Sequence, residues 1–122
     1  RKMMNPNNIS VVGQAAATAA LADQAYMIET CKETSSLREG LRQRLLDAGL
    51  DVPESFTNFV LLRMGNPNKA HRANEALCAE GVFLRPQGGA GLADCLRATI
   101  GIANHLDIAA ELLENWAKEG LL

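Results

Sequence analysis

Arg97 is the residue of this chain with the most chemistry to offer. It sits inside the apolar run Cys95-Leu96-Arg97-Ala98-Thr99-Ile100. Alternation along a strand puts Leu96, Ala98 and Ile100 on one face and Cys95, Arg97 and Thr99 on the other. A guanidinium carried mid-strand costs stability unless an anion meets it. Two readings stand side by side. Arg97 is an edge-strand arginine, in water or paired with a local carboxylate such as Asp94, or it is kept for an anion.

Other reactive side chains assemble less well. His71 and His105 lie far apart, and no set of Cys, Asp or Glu at metal-ligand spacing is read around either. His71 falls on a polar helix face. His105 falls in the first turn of a helix, the wrong end for a cation. No Ser-His-Asp or Cys-His arrangement can be built. Cys95 shares the face of Arg97, which would lower its thiol pKa, whereas burial would leave it inert. The segment from Gln87 to Ala93 holds Gly88, Gly89 and Gly91. A glycine-rich loop cradles phosphate when its amides converge at a helix N-terminus. Here a strand follows, so a flexible hairpin connection is expected.

The elements that position Arg97 follow from periodicity and caps. Residues 1–9 are polar, broken by Pro6, and read as an extended lead-in. Ser10 is the N-cap of a first helix, with Val11, Val12, Ala15, Ala16, Ala19 and Ala20 at helical spacing. That spacing predicts an ordinary core helix with a smooth alanine stripe. Asp23 caps a second helix over Gln24–Ala48, with Leu37, Leu41, Leu45 and Leu46 as its stripe and Gly49 as its stop. Tyr26, Thr30, Glu33 and Thr34 extend the stripe weakly. Lys32, Arg38, Glu39, Arg42 and Arg44 are expected to form a solvated face. A strand over Thr57–Arg63 is apolar on both sides, which suggests cover on both faces or cover by a missing neighbour. Asn66 and Pro67 start a helix as N-cap and first position, with Ala70, Ala73 and Leu77 buried and Gly81 at its end. Val82–Arg85, stopped by Pro86, and Cys95–Ile100 are the second and third strands. Asn104 caps a last helix with Asp107 in capping-box style. Its stripe is Leu106, Ala109, Leu112, Leu113 and Trp116. The fold class is therefore α+β: a small, mostly antiparallel three-stranded sheet with helices packed on one face, preceded by two helices.

Composition bounds the rest. The chain has 122 residues, 48% of them hydrophobic but only 4% aromatic, so aliphatic side chains and alanine must fill one core. The net charge is −2 with both signs interspersed, which gives no basic stripe for nucleic acid. No apolar run approaches a membrane span, and no signal-peptide pattern is present. Three widely spaced cysteines, Cys31, Cys78 and Cys95, do not form a disulfide framework and fit a reducing cytoplasm.

Four stretches in register resemble the small, C-terminal domain of fold-type I, pyridoxal-phosphate-dependent class I/II aminotransferases. These are Asn7-Asn8-Ile9-Ser10 leading into the alanine helix, Ser55-Phe56-Thr57-Asn58-Phe59-Val60-Leu61-Leu62, Gly81-Val82-Phe83-Leu84-Arg85-Pro86, and Leu96-Arg97-Ala98-Thr99-Ile100-Gly101. The histidinol-phosphate aminotransferase group is the nearest likeness. The resemblance implies amino-group transfer in a full-length enzyme. It implies that Arg97 binds the α-carboxylate of an amino acid or the phosphate of a related amine, for which a planar guanidinium is suited. Arg85 is a weaker candidate for anion contact and Asn58 a weak one for orienting the sheet end. Residues 1–23 would be interdomain lead-in and helix, and residues 24–122 the small domain.

The same resemblance places the cofactor lysine and pyridinium aspartate in a preceding large domain. Lys2, Lys32, Lys69 and Lys118 do not stand in the matching context. The chain thus reads as a fragment that contributes no catalytic residue, binds no pyridoxal phosphate by itself and is inactive alone. Its expected partners are the large domain and, at full length, a second subunit. Threonine-phosphate and aromatic amino-acid enzymes share these motifs. Two other readings remain open: a regulatory α+β module that binds a small acid at Arg97, and a structural domain that self-associates through the alanine stripe and Phe59-Val60-Leu61-Leu62.

Overall fold

The computed structural model describes residues 8–89 and 91–120. In chain order they form α1 (Val11–Ala22), α2 (Gln24–Asp47), β1 (Phe59–Arg63), α3 (Pro67–Ala79), β2 (Arg85–Pro86), β3 (Cys95–Thr99) and α4 (Ala103–Lys118). This is the expected α+β order. The lead-in up to residue 7 and Ala90 in the glycine-rich loop lie outside the described residues. The chain divides into two compact units between Glu33 and Thr34, a point inside α2.

In the first unit, Ser10 caps α1 as its sequence suggests, its Oγ accepting from the Gly13 amide at 3.1 Å. Asp23 Oδ1 likewise accepts from the Tyr26 amide at 3.1 Å and opens α2. The expectation of an ordinary core helix is not met, because α1 buries none of its residues. Alanines at helical spacing give a smooth stripe without the bulk that drives burial.

The second unit carries the core. The sheet runs in the order β1-β3-β2, antiparallel throughout, so β3 is its central strand. The edge-strand reading of Arg97 is thereby corrected. Val60 pairs with Ala98 and Leu62 with Leu96, and all four side chains are buried. Onto this face pack Leu41 and Leu45 of α2, Ala70, Ala73 and Leu77 of α3, and Ala110 and Leu113 of α4. Phe59 and Leu61, on the opposite face of β1, are only half-buried, so the sheet is covered on one face rather than two.

Several local expectations shift. β2 is two residues long instead of four. The Val82 amide donates to the Leu77 carbonyl at 2.8 Å, closing α3 behind Gly81 at φ 77°. Val82 and Leu84 pack on the core rather than entering a ladder. Pro86 is tolerated because the Gln87 amide donates to Cys95 O at 3.0 Å, which leaves the 86/96 pair in the position that exchanges no hydrogen bonds. Asn104 does not cap α4. The helix starts at Ala103 after Ile102 with no side-chain cap, and Asp107 instead meets Arg44 at 2.7 Å. Arg44 also holds Glu114 at 2.8 Å, so one guanidinium ties α2 to α4.

Arg38 is the clearest departure from the solvated face assigned to it. It is 9% exposed, donates through Nη1 to the Thr57 carbonyl at 3.0 Å and is paired with Glu39 at 3.0 Å. Arg42 reaches the Val52 carbonyl at 3.1 Å. Both side chains satisfy carbonyls of the connection between α2 and β1, whose backbone otherwise meets a strand at Asp51, which bridges to Arg63, and at Asn58. Among the described residues, no helix is long and apolar enough to cross a membrane.

Candidate functional site

β3 carries Arg97 at its midpoint, opposite Leu61 on one side and Arg85 on the other. Two cationic side chains thus face each other across neighbouring strands. Like charges directly opposite are destabilising unless something negative lies between them. Among the described residues, no carboxylate lies within ion-pair distance of either arginine. Asp94, the local acid proposed as partner for Arg97, accepts instead from the thiol of Cys95 at 3.4 Å. Arg97 Nε is buried and has no hydrogen-bond partner. Its guanidinium carbon lies 5.1 Å from the centroid of the Phe59 ring. Register explains that contact. Phe59 is paired with Thr99, so Phe59 and Arg97 are diagonal neighbours on one face of the sheet.

A cavity of about 610 Å³ opens beside these arginines. Arg85 and Arg97 belong to its lining, together with Phe83, Leu84, His105 and an apolar floor that includes Leu45 and Leu113. Its origin is the early end of β2. Residues preceding Arg85 are not paired, so Ala98 and Thr99 have no β2 neighbour. The Ile100 amide bonds Asn58 O at 2.8 Å, which by alternation turns the N–H and C=O of Thr99 away from β1. The cavity therefore combines an unpaired strand edge and an apolar floor, while the Arg97 guanidinium lies over Phe59, which is not part of the lining.

The remaining candidates fall apart from it. Asn58 is exposed and not part of the lining; its carbonyl, rather than its side chain, holds the end of the sheet. Cys95 is buried, and its thiol is pushed up by that burial and then by Asp94, the reverse of activation by Arg97. His71 Nε2 lies 3.5 Å from Glu75 Oε1, both exposed. This i,i+4 neighbour escaped the reading of the histidines. Among the described residues, no three potential metal ligands cluster. Lys69 and Lys118 are not among the cavity's lining residues, Lys32 belongs to the first unit, and Lys2 lies outside the described residues. Phe59 was missed as a site residue. Neither strand alone signals it, because Phe59 and Arg97 become neighbours only in the observed register of β1 against β3.

Residues 1–113 match the family described as aminotransferase class I and II. A histidinol-phosphate aminotransferase of Rhodospirillum centenum is 34% identical over 118 residues, which is 96% of this chain and 33% of that protein. An aromatic amino acid aminotransferase of Nocardia farcinica is 42% identical over 102 residues, 82% of this chain and 26% of that protein. The crystal structure of histidinol-phosphate aminotransferase from Sinorhizobium meliloti, in complex with pyridoxal-5'-phosphate, superposes with a TM-score of 0.84 at 32% identity. The match covers 97% of this chain and 33% of that one. The chain spans about a third of the length of the relatives it matches.

Proposed function

As the chain belongs to the aminotransferase class I and II family, we propose that it is the C-terminal small domain of such an enzyme and supplies Arg97 as the receptor for the acid group of the substrate. The observation that carries this reading is the Arg85–Arg97 register pair, with no carboxylate at ion-pair distance among the described residues. A planar guanidinium meets a carboxylate or a phosphate through two parallel hydrogen bonds, and a central strand keeps it in place. Arg85, more exposed, adds charge at the neighbouring register position. The substrate class is an amino acid or phosphorylated amine, with histidinol phosphate first. Both relatives named above act on amines that carry an acid group, by their names.

On this reading, pyridoxal phosphate and the groups that hold it come from a preceding large domain. The full-length enzyme is a cytoplasmic homodimer, and this chain alone is inactive. Arg97 binds and orients, and the residues described here move no proton. The test is calorimetric titration of the chain with histidinol phosphate, inorganic phosphate and amino acids. Saturable binding lost in Arg97→Ala supports the receptor role, and binding unchanged by that substitution refutes it. The absorbance of free pyridoxal phosphate is expected to stay unchanged when the chain is added.

A second reading, self-association without a ligand, is favoured by one observation. α1 buries no residue and exposes Val11, Val12 and Leu21. It requires a molecular size that rises with concentration and no ligand in the titration.

A further inference from the structure

We infer that Phe59 is a positioning residue for Arg97: its ring fixes the plane of the guanidinium so that the N–H edge is presented to an anion. The inference rests on the receptor role proposed for Arg97.

The geometry supplies each step. An arginine plane is usually set by an acid, which takes up its donors. Arg97 has no acid within ion-pair distance among the described residues, and its Nε is buried without a partner. What it has instead is an aromatic face 5.1 Å away. Attraction between a cation and a ring quadrupole operates within about 6 Å. It engages the flat face of the guanidinium and leaves the in-plane N–H groups free for a bidentate anion. A carboxylate neighbour would hold the arginine as firmly but would compete with the ligand. The ring holds it without competing.

The ring is itself held. The Phe59 carbonyl accepts from the Ser55 hydroxyl at 2.5 Å, and the preceding Thr57 carbonyl accepts from the buried Arg38 at 3.0 Å. The start of β1 is therefore braced from both the α2 side and its own connection. Phe59 is half-buried, so the contact is partly shielded from water, where it is stronger than at an open surface. A pre-set guanidinium loses less freedom when it binds, which raises affinity without a new contact to the ligand.

The test is a phosphate titration of the chain, at constant ionic strength, for the native protein and for Phe59→Leu, Phe59→Met, Phe59→Tyr, Leu61→Ala and Arg97→Ala. Phe59→Leu and Phe59→Met are expected to weaken phosphate binding about three- to tenfold, the range that a partly desolvated cation–ring contact supplies. Phe59→Tyr restores native affinity because the ring remains. Leu61→Ala, which removes bulk directly opposite Arg97 but no ring, leaves affinity within about twofold of native, well short of the fall that loss of the ring contact produces. The Arg97 Nε–H resonance gives a readout that packing alone does not move. Its ring-current displacement is present in the native chain and in Phe59→Tyr, and is lost in Phe59→Leu. Native affinity in both Phe59→Leu and Phe59→Met, with binding still abolished by Arg97→Ala, overturns the positioning role alone. Native affinity in Arg97→Ala overturns the receptor role and the inference with it.

Discussion

Arg85→Gln should make the isolated chain more stable and a poorer receptor for anions. Arg85 and Arg97 occupy one register position on adjacent strands, with no acid at ion-pair distance among the described residues. Measured cross-strand repulsion between like charges directly opposite each other is modest, about 0.2–1 kcal/mol. Arg85 is exposed, so screening trims the figure to about 0.5 kcal/mol at low salt, or about 2 °C in melting temperature. The assay is urea and thermal unfolding of both proteins at low salt, at about 1 M NaCl, and with saturating phosphate. The gain should vanish at high salt, where the Debye length is about 3 Å. Phosphate should reverse the order. A ligand at a hundred times its Kd adds about 2.7 kcal/mol to the protein that binds it, and the variant binds less. Loss of stability in Arg85→Gln at low salt, or a gain that ignores salt, would refute the view that these charges are held together without compensation.

Other outcomes follow from the same structure. Arg38→Ala should cost about 2 kcal/mol in urea unfolding, since a charged donor to the Thr57 carbonyl and a buried stem are both lost. Glu39→Gln, at its exposed partner, should cost under about 1 kcal/mol. The Arg44 guanidinium holds the Glu114 carboxyl below its usual range. Because that pKa is depressed in the folded state, the pair stabilises at and above the ordinary carboxylate range and loses its effect as pH falls through the folded value. Unfolding curves of native protein and Glu114→Gln should therefore converge in acid and differ by up to about 1 kcal/mol near neutrality. Cys31 is exposed whereas Cys95 is buried with a raised thiol pKa, so a thiol reagent should label Cys31 well before Cys95 in the native state.

Local signals made much of the fold legible. Asn66 and Pro67 mark the start of α3, and Asn66 Oδ1 accepts from the Lys69 amide at 2.9 Å as such a pair should. Alternation placed Leu96 and Ala98 on the buried face of β3. What escaped were properties set by distant partners. Whether β3 is central or at an edge depends on which strands flank it, and nothing within the strand encodes that. β2 was overestimated because Val82-Phe83-Leu84 has strand-like residues, yet the closing turn of α3 claims the Val82 amide. Arg38 was assigned to a wet face because charge is a weak guide to burial when a bare carbonyl waits across the fold. At the site, Arg97 was legible as an unusual charge in a strand. Phe59 was not, because the diagonal contact exists only once the register of β1 against β3 is known.

The central claim is that Arg97 receives an acid group, and side-chain NMR of the arginines tests it most directly. The chain labelled with nitrogen-15 arginine, its Arg97 signals assigned from Arg97→Lys, would be titrated with phosphate. The Arg97 N–H signals should shift saturably while those of Arg63, which faces Asp51 at 3.8 Å, and of the exposed Arg72 stay in place. Equal, unsaturable drift of all arginines, or an unmoved Arg97, would contradict the claim.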